Sequence, residues 1–187
     1  MVSSTLKTDN SHLADKIELR VQSLPAGKRK IRVLDAFAGS NTIWNAVRDR
    51  SPRVIFDVVS IEKEPGKGGI HLQGDNRKFL PTLDLKKFDI IDLDGQGIPL
   101  FQVDTVLSSG FGGILHITFT QSILGNVNTQ LLRLVGITDR MIRKAKAIFA
   151  RKQWEYFKGY LGSMGVRRIQ YLEFGRKRFI VINLAKP

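Results

Sequence analysis

Acidic side chains close several apolar, β-branched segments in the first half of the 187-residue chain. They are Asp35, Glu62, Asp75, Asp92 and Asp94. Such segments predict strands, and the carboxyl ends of parallel strands meet at one edge of a sheet, where ligands bind. A carboxylate at that edge accepts hydrogen bonds from the hydroxyl and amino groups of a ligand. The acids therefore predict a site for a nucleotide-like ligand.

The most informative segment is residues 31–44, which reads Ile-Arg-Val-Leu-Asp-Ala-Phe-Ala-Gly-Ser-Asn-Thr-Ile-Trp. It predicts a strand, a tight turn around Gly39 and a helix that begins near Asn41. Such a turn presents free backbone N–H groups and the positive end of the helix beside the strand, so that a ligand can approach the backbone closely. The alternative is an ordinary βα turn of a parallel sheet that binds nothing.

Residues 88–99 form the second informative segment, because a strand that ends in Asp92 and Asp94 runs into a loop with two glycines and a proline. Backbone carbonyls and side chains can converge on a ligand in such a loop. An Asp-x-Asp pair can also bind a divalent cation, but no third acid or His lies at a supporting spacing, so we predict no metal site. His116 alternates within an apolar strand and is predicted to be a core residue rather than a catalyst.

The net charge of +13 is concentrated in the last third of the chain. Residues 1–120 carry 16 Lys and Arg against 14 Asp and Glu, whereas residues 121–187 carry 14 against 3. A basic surface confined to one region is typical of a protein with a polyphosphate partner. A solubilising face and an acidic protein partner are the alternatives. The predicted nucleic-acid contacts lie on a helix over residues 138–158 and are Arg140, Arg143, Lys144, Lys146, Arg151 and Lys152.

Length and a hydrophobic content of 42% predict a domain of ordinary size with a substantial core. The absence of cysteine excludes disulfides, thiolate metal sites and a Cys nucleophile. The first residues lack the apolar core of a signal peptide, and no apolar run approaches membrane-spanning length. We therefore expect a soluble, cytoplasmic protein with no membrane partner.

The order of the remaining elements predicts the fold class. A helix over residues 12–23 precedes five βα-type units without an internal repeat, and two strands, over residues 166–174 and 179–184, follow the basic helix. Such an order is typical of a doubly wound α/β sheet. We assign residues 1–24 to an N-terminal extension with a helix and residues 25–187 to a single domain.

Two segments resemble a known family. Residues 33–39 resemble the first motif of class I S-adenosylmethionine (SAM) dependent methyltransferases, in the Asp-x-Phe-x-Gly-x-Gly form of enzymes that act on nucleic acids. Asn41 replaces the last glycine of that pattern, and Asn tolerates a positive φ better than most residues. Residues 92–99 resemble the Asp-Leu-Asp-Pro-Phe-Gly-Ser-Pro segment of the tRNA guanine N2-dimethyltransferases, with Gly95 and Gln96 in place of Pro-Phe. This replacement removes the aromatic platform for a flipped base.

The resemblance implies a fold, a cofactor and a site. The fold is a Rossmann-like class I methyltransferase fold, whose seven-stranded, mostly parallel sheet ends in an antiparallel hairpin, and the cofactor is SAM. Asp92 and Asp94 are the implied catalytic residues, and one of them accepts a hydrogen bond from the acceptor amine. Sequence alone leaves open which one does. The implied cofactor-binding residues are Asp35, Phe37, Gly39, Asn41, Glu62, Asp75 and Asn76.

The resemblance also implies individual roles. Asp35 would bind the amino group of SAM and Glu62 its ribose hydroxyls. Asp75 would contact the adenine, although it is equally suited to cap the helix that begins at Asn76. The implied function is methyl transfer to an exocyclic base nitrogen of a nucleic acid, and the motif resemblance favours RNA (tRNA or rRNA) over DNA.

Three alternatives to RNA methylation follow from the same residues. A DNA methyltransferase would use the same site. A protein that binds SAM and nucleic acid without catalysis would account for Asn41 and for Gly95 and Gln96. An NAD-dependent oxidoreductase shares the strand-turn-helix, but its Gly-x-Gly-x-x-Gly pattern does not occur here.

Overall fold

A computed structural model describes residues 12–67, 69–121 and 127–184. Seven strands form one sheet in the order β3-β2-β1-β4-β5-β7-β6. They are β1 (Lys30–Asp35), β2 (Ile55–Glu62), β3 (Leu72–Gln73), β4 (Ile90–Leu93), β5 (Ile114–Thr120), β6 (Gln170–Phe174) and β7 (Lys177–Asn183). Strands β1 to β5 are parallel, whereas β7 runs antiparallel to both β5 and β6. The predicted mostly parallel sheet with a terminal antiparallel hairpin is confirmed.

Helices cover both faces of this sheet. They are α1 (Leu13–Gln22), α2 (Thr42–Arg50), α3 (Asn76–Phe79), α4 (Leu100–Ser108), α5 (Thr129–Leu134), α6 (Asp139–Lys144), α7 (Lys146–Arg151) and α8 (Gln153–Ser163). Short 3₁₀ turns span Leu80–Thr82 and Leu85–Lys87. Within the described residues, no helix is both long enough and apolar enough to cross a membrane.

Strand alternation sorts the buried side chains into two cores. Ile31 and Val33 of β1 pack with Ile17 of α1 and Trp44 of α2 on one face. Leu34 belongs to the larger core on the opposite face, which also contains residues of α4 and α8. Because side chains alternate along a strand, Asp35, the residue after Leu34, lies on the face that α1 and α2 cover. These two helices therefore determine the surroundings of the first acid of the predicted site.

The prediction of one continuous helix over residues 138–158 is wrong. Three helices occupy the segment, and the breaks fall at Ala145 (φ −135°, ψ 34°) and Lys152 (φ −103°, ψ 17°). On a single helix, Ile142 and Trp154 would point about 120° apart. Both are buried in the structure, so the breaks let each helix turn its own apolar residue inward. Burial thus overrides the continuous helical pattern of the sequence.

Candidate functional site at the carboxyl edge of the sheet

Three polar side chains lie in one buried row across the centre of the sheet. Asp35 of β1 is paired with Asp92 of β4, which is paired in turn with His116 of β5. The exposed fractions are 4%, 1% and 1%. Charged groups at such depth need a compensating partner from another element. Helix α1, which lies over this row, supplies that partner.

Arg20 of α1 forms a two-pronged ion pair with Asp92. Its Nε and Nη2 atoms donate to Oδ2 and Oδ1 of Asp92, each at 2.7 Å. Trp44 Nε1 of α2 donates to Oδ2 of the same carboxylate at 3.0 Å. Both oxygens of Asp92 are therefore bound within the protein core. Asp92 joins α1 and α2 to the sheet, and its carboxylate is not presented to the cavity described below.

Lys16 of α1 lies one turn before Arg20 and binds the second acid. Lys16 Nζ lies 2.8 Å from both carboxylate oxygens of Asp94, and Thr118 Oγ1 of β5 donates to Oδ1 of Asp94 at 2.5 Å. The side chain of Asp94 is 9% exposed, against 1% for Asp92. Asp94 is thus the acid of the pair that faces open space.

A cavity of about 170 Å³ opens at this edge of the sheet. Asp35 and Asp94 contribute carboxylates to its wall, and the turn after β1 contributes backbone and small side chains. Its lining residues are Leu13, Lys16, Asp35, Phe37, Ala38, Gly39, Ser40, Thr42, Ile43, Lys67 and Asp94. A larger groove of about 850 Å³ lies between the end of α1 and the β6–β7 hairpin, and none of the predicted site residues lines it.

The turn after β1 adopts the backbone that the sequence predicts. Gly39 and Asn41 both have positive φ values, of 53° and 57°. The side chain of Asn41 accepts a hydrogen bond from Ser60 Oγ at 2.7 Å and donates to the carbonyl of Gly69 at 3.1 Å. Asn41 therefore adopts a left-handed conformation, which Asn tolerates better than most residues, and it ties the turn to β2.

Burial and neighbouring charges give the three acids different proton affinities. Burial, followed by the negative charge of Asp92, raises the pKa of Asp35 well above its usual range. Burial also raises the pKa of Asp92, although Arg20 opposes that effect. Burial opposes ionisation of Asp94 as well, but Arg20 and Lys16 together hold the pKa of Asp94 below its usual value. Asp94 is therefore the acid held ionised by its partners.

His116 is a buried, neutral member of the row. Its Nε2 atom lies 3.1 Å from Ser23 Oγ, and Nδ1 has no hydrogen-bond partner among the described residues. Burial, followed by the positive charge of Arg20, lowers the pKa of His116 well below its usual value. The environment matches the predicted core histidine.

The remaining predicted cofactor residues occupy the same edge of the sheet. Glu62 Oε2 accepts a hydrogen bond from the backbone N–H of Gly39 at 2.7 Å, which brings the end of β2 to the turn after β1. Asp75 Oδ1 accepts from the backbone N–H of Arg77 at 2.9 Å and so caps α3. Asn76 is buried and donates to the carbonyl of Ala36 at 2.7 Å. Direct cofactor contacts by these three side chains stay predictions.

Phe37 packs directly on the loop that follows β4. A Cβ atom at Gly95 would lie 2.7 Å from Cε1 and Cζ of the Phe37 ring, so only glycine fits there without movement of the ring. Phe37 also lines the cavity. Gly95, which replaces the proline of the Pro-Phe pair, therefore packs against Phe37, a residue of the first motif.

The fold of this chain is similar to that of several solved methyltransferases, although the sequences share little identity. A ribosomal protein L11 methylase from Lactobacillus delbrueckii subsp. bulgaricus superposes with a TM-score of 0.57 at 14% identity, over 96% of this chain and 81% of that one. A precorrin-6y C5,15-methyltransferase from Geobacter metallireducens gives 0.56 at 12% identity, over 100% and 94%. A methyltransferase from Podospora anserina with bound S-adenosylhomocysteine (SAH) superposes with a TM-score of 0.56 at 15% identity, over 94% of this chain and 79% of that one. The chain has the class I methyltransferase fold.

Sequence comparison adds nothing to this structural likeness. No protein-family model matches the chain, and a search of curated proteins finds no match. At these identities, the likeness shows the class I methyltransferase fold alone. The finer resemblance to tRNA guanine N2-dimethyltransferases stays a prediction.

The predicted nucleic-acid contacts lie on the surface of the class I methyltransferase fold. All six cations of α6, α7 and their junctions are exposed. Gln121, which directly follows β5, donates from Nε2 to the carbonyl of Ala150 at 2.6 Å and from its backbone N–H to the carbonyl of Arg176 at 2.9 Å. Thr118, the partner of Asp94, lies three residues earlier, about 10 Å along an extended strand. The end of α7 therefore lies at the same edge as the cavity.

Sequence reasoning missed the contribution of α1 to the site. Lys16 and Arg20 are spaced four residues apart, beside the apolar Leu13 and Ile17, so they lie on the helix face that turns toward the sheet. Cations on the inward face of a helix are a signal that buried acids lie opposite. That signal was available in the sequence, but the acids that it matches are 72 and 78 residues further on.

We expect loss of Arg20 to be strongly destabilising. Arg20→Met leaves the Asp92 carboxylate buried, with Trp44 as its one remaining side-chain donor in the described part of the chain, which costs about 3–5 kcal/mol of unfolding free energy. Arg50→Met, which breaks the exposed pair with Glu18, is the matched control and costs about 0–1 kcal/mol. Urea unfolding of each variant measures both effects.

A second substitution separates charge from packing in this test. Arg20→Met combined with Asp92→Asn removes the uncompensated charge, so we expect the double variant to be more stable than Arg20→Met alone. Equal stability of Arg20→Met and Arg50→Met would contradict the role assigned to the buried pair.

Proposed function

We propose that this protein is a SAM-dependent methyltransferase that acts on an exocyclic amine of a nucleic acid. The observation that carries the proposal is the convergence of Asp35, the turn at Gly39 and the ionised Asp94 on one cavity at the carboxyl edge of a class I methyltransferase fold. Ligands of open α/β sheets bind at this edge. The fold alone is shared by many chemistries, so the side chains must carry the functional argument.

The residues at the cavity suit the cofactor that the fold and motif favour. Asp35 is a buried acid. Arg20 is the nearby cation among the described residues, but its ion pair is with Asp92, so a ligand ammonium would complement Asp35. The backbone at Gly39 would hold the amino-acid part of SAM, and Glu62 would accept its ribose hydroxyls. Bound SAM supplies a sulfonium methyl group that a nucleophile can remove by direct displacement.

Asp94 is the residue proposed to hold the acceptor. Its carboxylate is ionised by its neighbours and fixed by Thr118, so it can accept a hydrogen bond from an amino group and orient the nitrogen lone pair. Asp92 is proposed to act as a positioning residue, because its side chain is 1% exposed, does not line the cavity and binds Arg20 and Trp44 within the core. Of the two acids that the sequence left open, we therefore favour Asp94 for this role.

The basic surface supports a nucleic acid as the substrate. Residues 121–187 carry most of the net positive charge, and the end of α7 lies at the edge that holds Asp94. A small-molecule acceptor would need no such surface. RNA is favoured over DNA by the resemblance of residues 92–99 to the tRNA enzymes. A protein that binds SAM and nucleic acid without transfer remains the second candidate, because Lys16 holds the acid proposed to receive the acceptor.

Transfer of a labelled methyl group tests the proposed reaction. We expect label from SAM to enter RNA in a mixture of RNA and DNA, and Asp94→Asn to reduce the rate by at least about tenfold, because the amide no longer accepts with a full charge. Asp57→Asn, at an exposed pair with Arg32, is the matched control and leaves the rate unchanged. Label in DNA alone would overturn the choice of RNA, and cofactor binding without any transfer would favour the second candidate.

The pH dependence of cofactor binding tests the role of Asp35. Because the pKa of Asp35 is raised in the free protein, the acid must lose a proton to pair with the cofactor ammonium. Affinity for SAH should therefore rise with pH through that raised pKa and fall as the pH is lowered. Calorimetry of the wild type and of Asp35→Asn measures this, and we expect the variant to bind more weakly with a flatter pH profile. A wild-type affinity that does not change with pH would contradict the role.

Salt dependence tests the basic surface. Substituting Arg140, Arg143 and Lys144 by Gln should weaken RNA binding and reduce the slope of log affinity against log salt by roughly one per lost phosphate contact. Lys86→Gln with Lys87→Gln, two exposed cations on the 3₁₀ turn before β4, is the control and should leave both nearly unchanged. Binding that does not respond to salt in the wild type would refute a phosphate contact at this surface.

A further inference from the structure

Lys16 occupies the position that the proposed function gives to the acceptor amine. Its Nζ atom donates hydrogen bonds to both oxygens of Asp94, each at 2.8 Å. The Lys16 side chain is 13% exposed and lines the cavity together with Asp35 and Gly39. A primary amine of this chain is therefore already bound where the amine of a substrate is expected.

Helix α1 holds this amine firmly in place. One turn beyond Lys16, Arg20 binds the buried Asp92 through two hydrogen bonds of 2.7 Å, and Ile17 between them is buried in the core. Lys16 Nζ also lies 5.1 Å from the centre of the Phe179 ring, within the range of a cation–π contact. These contacts restrict the amine to the mouth of the cavity.

We propose that Lys16 is a methyl acceptor of this protein, modified by the protein's own cofactor. The inference rests on the proposed function, since it needs SAM as the methyl donor. The Lys16 ammonium first releases a proton to solvent. The neutral amine then attacks the methyl carbon, the new C–N bond forms as the C–S bond breaks, and the electron pair of that bond stays on sulfur. The products are N-methyl-lysine, as an ammonium, and SAH.

The product preserves the ion pair that positions the reactant. A methylated lysine remains cationic, so Lys16 can still pair with Asp94 after one transfer. The ion pair also makes the reaction slow, because the amine must leave its two contacts with Asp94 before it can attack the methyl carbon. We therefore expect transfer within minutes to hours rather than at the rate of turnover.

Lys67 provides an internal comparison. It is the second lysine that lines the cavity, but its Nζ atom pairs with Glu64 at 3.8 Å, and the side chain of Glu64 is 74% exposed. If nearness to the cofactor alone decided the modification, both lysines would react. If the geometry at Asp94 decides it, only Lys16 reacts.

Mass spectrometry of the full chain after incubation with SAM tests the proposal. We expect a mass gain of one CH₂ unit that maps to Lys16, persists in Lys67→Arg and disappears in Lys16→Arg, which keeps the positive charge beside Asp94. The fraction modified per unit time should not change with protein concentration, because the reaction is intramolecular. Modification at Lys67 alone, or none at all while SAM binds by calorimetry, would overturn the proposal.

Chemical labelling of the free protein gives a readout that needs no turnover. Because Lys16 Nζ is held by Asp94, we expect it to react more slowly than Lys67 with an amine-directed acetylating reagent, and SAH to slow its labelling further. Equal reactivity of the two lysines would overturn the placement of the amine. Failure of SAM and SAH to bind would instead refute the proposed function, which separates the two failures.

Discussion

The buried ion pair between Arg20 and Asp92 is the constraint on which the candidate site depends. Two charged groups that are both nearly inaccessible to water lose several kcal/mol of hydration each, and they recover it only if their geometry is good. Here the guanidinium binds both carboxylate oxygens and Trp44 donates a third hydrogen bond. The position of α1 is thus specified by charge as well as by apolar contact.

The same pair orders the other charges at the edge of the sheet. Once Arg20 is fixed, Lys16 lies one helical turn away, opposite Asp94, and the pair of cations keeps that acid ionised. Asp35 lies on the other side of Asp92 and receives little of this compensation, so its pKa is raised. The cations of α1 lower the pKa of Asp94, whereas burial and the charge of Asp92 raise the pKa of Asp35, so two nearby acids differ in their protonation as the roles proposed for them require.

The sequence predicted most of the sheet and most of the edge that carries the site. Apolar runs and turn residues located the strands, and two of the acids at their ends, Asp35 and Asp94, line one cavity at the carboxyl edge. Two features of the structure were not predicted from the sequence. The partners of Asp92 and Asp94 come from α1, and no local pattern records a contact across more than 70 residues. The helix breaks at Ala145 and Lys152 were not predicted, because their positions depend on the tertiary burial of Ile142 and Trp154 rather than on helix propensity.

The contact between Phe37 and Gly95 makes two distant sequence motifs a single packing unit. Any side chain at position 95 would collide with the ring of Phe37 as it stands. Position 95 therefore cannot take a side chain unless the ring at position 37 moves or becomes smaller. A designer who grafts a bulkier loop after β4 must also make room in the turn after β1.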